Sequence, residues 1–269
     1  MAEVLNFEHN GITVNATESP EAMGGLGDNV IGLVGTAPNA NALIPKNTPF
    51  RINSFTTQAQ LDPTGAEAGT LFHAVYQILK VVKVPVYVVI VEEGATLADT
   101  QNNVIGGIEA QTGRKLGLAA LSGAAEDLTI IGAPGFTGTK AVASEFASFG
   151  KRIKARVVLD GKDVSVADQV TYSQELGGAD LGFDRCLVVH NMPAVYSKAA
   201  KKNVFLAPSS LAIAALAKVK QWESPGNQVT YAEDVSRTVE YNILDTSTEG
   251  DLLNRYGVSY YARTILGGF

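Results

Sequence analysis

The sequence has little of what chemistry at neutral pH usually needs. Its 269 residues include one cysteine and three histidines. A single thiol excludes an intrachain disulfide framework and any multi-cysteine metal site. That thiol, Cys186, lies in Arg185-Cys-Leu-Val-Val-His190, a run expected to be buried strand, where it reads as a small hydrophobe rather than a reactive group. Charged residues are only 18% of the chain and sum to −6. Binding nucleic acid needs a basic face, so no direct nucleic-acid partner is expected. No segment approaches the ~18–20 apolar residues of a membrane helix, so no membrane insertion is expected. The first twenty residues lack the apolar core of a signal peptide.

What is present suits a packed domain. Hydrophobic residues make up 46% of the chain, enough for a substantial core and too many for disorder. Low charge with 27 glycines fits a protein that hides much of its surface in an assembly, but on composition alone an ordinary α/β domain explains it better.

Along the chain, residues 1–28 show no helical period and little bulk to bury. Within them Gly11-Ile12-Thr13-Val14 is a possible short strand. Val30 to Gly35 is an apolar run expected to be a buried strand, and Phe50 to Phe55 a shorter one. Gly69-Thr70 opens a helix with Leu71, Val75, Ile78, Leu79 and Val82 on one face. Pro85 to Val91 is nearly all β-branched and reads as a central strand covered on both faces. Thr96 and Asp99 have capping-box spacing, so a helix is expected over 97–105, ended by Gly106-Gly107. A second apolar helical stretch is expected over 116–121 and strands over 128–131, 156–159 and 186–190. Between them, helices carry Val142, Phe146, Phe149 and Ile153 on one stripe, or start from a Ser165/Asp168 cap. A helix follows Pro208 and another spans 251–256. Val258 to Leu266 reads as a last strand. From Pro85 onward strand and helix alternate, which predicts an α/β fold. It has a largely parallel sheet with helices on both faces, preceded by an extended N-terminal arm and a small α+β region.

The motifs that could carry chemistry are incomplete. Gly132-Ala-Pro-Gly135-Phe-Thr-Gly138-Thr-Lys140 lies between a strand and a helix, where a phosphate loop would be. Its lysine is one place too late, no hydroxyl follows it, and Pro134 removes an amide donor. A plain strand-to-helix turn explains it better. Gly24-Gly-Leu-Gly27 precedes a strand, the reverse of a dinucleotide fingerprint. Of the histidines, His9 lies in the N-terminal segment, His73 beside a helix's apolar face, and His190 at a strand end. His190 with Asp160, near Gly132, is the one arrangement that could form an enzyme site for a small molecule. No nucleophile elbow accompanies it, and polar residues at strand ends arise by chance. No residues have the spacing of metal ligands, and no cofactor is expected. Lys151-Arg152-Ile-Lys154-Ala-Arg156 is the densest basic run. At a helix end it suits the negative end of the dipole. Alternatively it contacts an acidic surface of another subunit, such as the segment bearing Glu3, Glu8, Glu18 and Glu21.

Taken in order, several short motifs resemble the contractile tail sheath proteins of phages and R-type pyocins. They are Gly11-Ile-Thr-Val14, Val30-Ile-Gly-Leu-Val-Gly-Thr-Ala37, Pro85-Val-Tyr-Val-Val-Ile-Val-Glu-Glu-Gly94, Asn102-Asn-Val-Ile-Gly-Gly107, Ile130-Ile-Gly-Ala-Pro-Gly135, and Leu252-Leu-Asn254 with Gly257-Val258. The resemblance implies a non-enzymatic structural protein of the virion, assembled in the host cytoplasm. Its partners would be other sheath subunits, in hexameric rings at full length, and tail tube and baseplate proteins. It implies arms that add strands to neighbouring subunits, with Gly11, Ile12, Thr13 and Val14 as candidate contacts beside the Lys151, Arg152 and Lys154 that the charge pattern proposes. It also implies an arm over 1–28, part of an inner domain over 29–95 and an outer α/β domain over 96–269. Sheath chains continue into a C-terminal domain, so this sequence is expected to lack that domain.

Overall fold

The computed structural model describes residues 29–178, 185–220, 223, 225–227, 232–242, 244–245 and 247–263. The Gly11–Val14 segment and residues 264–269 lie outside them.

The chain enters on β1 (Ile31–Thr36), then β2 (Phe50–Ile52) and the short α1 (Phe55–Gln58). Helix α2 (Leu71–Val81) leads to β3 (Val86–Val91), and α3 (Leu97–Ile105) to a two-stranded hairpin, β4 (Gly107–Ile108) with β5 (Lys115–Leu116). Then come β6 (Ile130–Gly132), α4 (Lys140–Ile153), β7 (Arg156–Asp160), α5 (Val166–Glu175) and β8 (Cys186–Val189). A second hairpin, β9 (Pro193–Ser197) and β10 (Lys202–Phe205), precedes α6 (Ser209–Lys218). The described chain finishes with β11 (Asp234–Val235), α7 (Glu249–Arg255) and β12 (Val258–Ser259).

Seven strands form the main sheet in the order β12-β8-β7-β6-β1-β3-β2. Every pairing is parallel except β2 with β3 at one edge. The expected α/β architecture is therefore present. Alternation within the strands divides the core in two. Ile31, Leu33, Val86, Val88 and Ile90 face one layer, built on α2 and α6. Val34, Tyr87, Val89, Val91, Val157 and Leu159 face the other, with Val142, Phe146 and Phe149 of α4 and Tyr172 of α5. Parallel strands buried on both faces explain the unbroken aliphatic runs in the sequence. Position 95, where the resemblance divides inner from outer domain, follows β3. The sheet continues past it, because β1 pairs with β3 on one side and with β6 on the other.

The helix signals in the sequence correspond to real contacts. The Thr96 hydroxyl accepts from Asp99 N, and the Asp99 carboxylate accepts from Thr96 N, closing the capping box. Ser165 caps α5 by accepting from Asp168 N. Gly132 has a packing role, since a Cβ there would stand 2.8 Å from Ile213 Cδ1 of α6.

Three expectations change. Pro85–Val91 is not central but next to the edge, because β2 folds back antiparallel outside it. Residues 117–123 form a 3-10 turn rather than an α-helix. Gly117 is at φ 53°, outside the α region, so the turn begins from a conformation that does not propagate an α-helix. The last strand stops at Ser259 instead of running on. Tyr261 turns inward there, its N–H donating to Asn191 Oδ1 at 2.8 Å and its hydroxyl to Pro208 O. Side-chain hooks replace the ladder.

Outside the main sheet, β10, β9 and β11 form an antiparallel sheet in that order, resting on the α2/α6 layer through Val195, Val204 and Val235. No helix among the described residues is long and apolar enough to cross a membrane.

Candidate functional site

In an open parallel sheet, ligands favour the crevice at the carboxyl ends of the strands where the chain changes direction. Here that place lies between β1 and β6, since the chain runs from β1 to β3 on one side and then to β6 on the other. The loop after β6 is Ala133-Pro-Gly-Phe-Thr137, with Gly135 at φ 88°. This turn does not face outward as a phosphate cradle. Gly135 N–H and the Thr137 hydroxyl both donate to Asp160 Oδ2, at 2.9 and 2.8 Å. Ser209 N–H, in the first turn of α6, donates to Asp160 Oδ1 at 2.8 Å. The protein's own carboxylate occupies the position an external anion would take, and it fastens the β6 loop, β7 and α6 together. Asp160 is buried. Burial pushes its carboxyl pKa up, against the pull of these hydrogen bonds. Tyr172 adds to the knot by donating to Thr137 O at 2.6 Å, and its phenol is pushed up by burial.

His190 is equally inaccessible. Its Nδ1 lies 3.1 Å from Lys162 O, which fixes the tautomer with the proton on Nδ1. Burial pushes the ring's pKa down, which favours its neutral form. Asp160 and His190 share no hydrogen bond, and Gly132 is packed under α6. The three residues that could have formed a small-molecule enzyme site therefore do not converge on accessible space.

A cavity of about 370 Å³ does open nearby. Its wall includes Glu67, Thr70, His73, Gly135, Ala200 and Phe205. Glu67, at φ 56°, accepts from the Ser197 hydroxyl and, at 3.2 Å, from Lys198 N. His73 Nε2 lies 3.6 Å from the same carboxylate, and burial pushes the ring's pKa down. The order hydroxyl–carboxylate–imidazole cannot activate a serine, because the ring does not reach the hydroxyl proton. Glu67 is a latch holding the β9–β10 hairpin to the loop before α2. Sequence reading missed it. The only signal was a glutamate set among small residues, Gly65-Ala66-Glu67-Ala68-Gly69.

The basic run sits where helix chemistry puts it. Lys151 and Arg152 are exposed in the last turn of α4, and Lys154 adopts the left-handed capping conformation at φ 62°. The Arg152 guanidinium lies 4.9 Å over the Phe149 ring. Among the described residues no group of three or more His, Cys, Asp or Glu could hold a metal ion.

Fold and surface thus define an α/β body in which both oxygens of the strand-end Asp160 and the Nδ1 of His190 are held by the body itself, while His190 Nε2 and Ser209 Oγ are buried without a hydrogen-bond partner. No family model matches the sequence. Individual proteins do. A protein described as a prophage major tail sheath protein of Pseudomonas aeruginosa (strain UCBPP-PA14) is 26% identical over 274 residues, covering 96% of this chain and 67% of its own length. The tail sheath protein of Escherichia phage P2 is also 26% identical, over 95% of this chain and 66% of its own. The helical sheath of the anti-feeding prophage in its contracted state superposes with a TM-score of 0.56 at 16% identity, over 98% of this chain and 66% of that one. The contracted sheath of an extracellular contractile injection system superposes equally well, at 15% identity over 96% of this chain. The curated homologues are tail sheath proteins, and the structural neighbours share the fold of contractile sheaths. This chain spans about two thirds of the length of each.

Proposed function

We propose that this chain is a structural subunit of a contractile tail sheath, without enzymatic activity. It polymerises with copies of itself as stacked rings around a tail tube, and contraction of the rings drives the tube through a host envelope. The observation that carries this reading is colinear similarity to tail sheath proteins over nearly the whole chain. The enclosed Asp160 and His190 support it, since they withdraw the residues an enzyme would have used. Contraction needs no cofactor. It needs two subunit arrangements of different free energy, the higher one held by tube and baseplate contacts. Arm exchange between subunits, through Gly11–Val14 and near Lys151, Arg152 and Lys154, belongs to the same proposal.

Negative-stain electron microscopy tests it, on this chain and on any longer form its reading frame supplies. Tubes or contracted sheaths from the longest form are expected. Discrete particles carrying a bound metabolite would overturn the reading.

A further inference from the structure

Two surface regions carry large exposed apolar side chains, and their flanking charges are opposite. The first is the β9–β10 hairpin. Tyr196 opposes Asn203 across the ladder, and Phe205 lies two places on, so both aromatics share the outward face. They are 57% and 53% exposed. Residues 196–205 hold Lys198, Lys201 and Lys202 and no acid, and the adjoining β11 adds one exposed acid, Asp234, opposite Ala194. Phe205 also borders the cavity of about 370 Å³, which Ala199 and Ala200 line as well.

The second region is the loop before α7 with that helix. Leu244 is 91% exposed, and Tyr241 and Leu252 are exposed beside it in sequence. Residues 240–252 hold Glu240, Asp245, Glu249 and Asp251 and no base. The loop is tied by its own bonds. Leu244 N–H donates to Asn242 Oδ1 at 3.0 Å, and Ser247 N–H and hydroxyl donate to Asp245 Oδ1 at 2.9 and 2.6 Å. The bond from its N–H to Asn242 holds Leu244 as an outward apolar knob, which reduces the ordering cost of docking it.

The regions belong to opposite faces of the main sheet. Val195 and Val204 of the hairpin join the α2/α6 core, whereas Val239 and Leu253 join the α4/α5 core. One copy cannot close them on each other. Two copies can, and a contact between unlike surfaces continues to a third copy and beyond.

We infer that the acidic 240–252 surface of one copy docks on the basic β9–β10 surface of the next, with Leu244 entering the cavity beside Phe205. The occupant is a second copy of this chain, chosen by charge complementarity and by a knob matched to a hole. The inference deepens the sheath reading and rests on it only for the polymer that the contact would propagate.

The test uses the whole chain in sedimentation equilibrium. The unaltered chain associates reversibly, and its association constant falls at least about threefold as salt is raised from low to high ionic strength. One variant carries Lys201→Glu and Lys202→Glu; the other carries Glu240→Lys and Glu249→Lys. Each alone loses association by about tenfold or more, because like charges now face each other. An equal mixture of the two recovers it, since each reversed surface meets its complement. Recovery also shows that both variants are folded. The inference is overturned if the unaltered chain does not associate, if association ignores salt and both variants, or if mixing two natively melting variants restores nothing. None of these outcomes touches the sheath reading, which stands or falls on polymers of the longest form.

Discussion

The strand ends of the main sheet and the periphery of the molecule treat polar groups in opposite ways. Around Asp160, both carboxylate oxygens are taken by donors from the body itself, and water is excluded. Around Phe205 and Leu244, aromatic and aliphatic side chains stand in solvent with charges left to face outward. A cleft enzyme inverts this, keeping satisfied residues outside and poised ones at the strand ends. The contrast fits the proposed assembly, whose contacts would lie on surfaces rather than in a cleft.

The sharpest way to break the comparison is Asp160→Ala. If the strand end is structural, the change leaves Gly135 N, Thr137 Oγ1 and Ser209 N without their acceptor inside the core. Such a loss costs on the order of 3–5 kcal/mol, read from urea unfolding. Asp160→Asn keeps one acceptor oxygen and loses less. A stable Asp160→Ala protein that had lost a bound ligand would reverse the assignment and restore the enzyme reading.

Acidification gives a smaller effect. His73 and His190 are both held below their ordinary pKa by burial. The folded protein therefore binds fewer protons than the unfolded chain as pH falls through the ordinary histidine range. Stability from these rings is complete above about pH 6.5 and declines as pH drops toward their folded values. Each contributes a slope of at most about 1.4 kcal/mol per pH unit. Asp160 works in the opposite direction. Its raised pKa favours the fold at lower pH, between the ordinary carboxylate range and its folded value. The melting temperature should fall between pH 7 and pH 5, and His190→Phe should flatten part of that slope. An unchanged slope in His190→Phe would mean that the ring is not held neutral by the core.

How far these features could be read in advance follows from how local their causes are. The sheet strands and the caps of α3 and α5 were legible because their causes lie within a few residues: aliphatic runs, and Thr96/Asp99 or Ser165/Asp168 spacing. The β9–β10 hairpin was not anticipated. Its turn uses Lys201 at φ 53° rather than a glycine or asparagine signal. Asp160 and His190 were placed correctly at strand ends, but their partners lie 23 to 49 residues away in sequence, so their structural use was invisible. Glu67 was missed for the same reason, its hydroxyl partner being 130 residues distant. The basic run at Lys151 and Arg152 was legible as a helix end.

The smallest expected effect on folding is at the periphery, and there its smallness is the point. Leu244→Ser and Tyr196→Ser alter side chains that contribute little to either core, so each should shift unfolding free energy by no more than about 0.5 kcal/mol. If the two surfaces meet between copies, the same substitutions weaken self-association, and they do so at high salt, where charge effects are screened. Leu244→Ser has the larger effect because the knob alone enters the cavity, whereas Tyr196 lies on the flanking face. Measured together, chemical denaturation and sedimentation separate a side chain used in folding from one kept for a neighbour. A loss of stability above about 1 kcal/mol in either variant would place that side chain in the body's own packing and erase the distinction between the two regions.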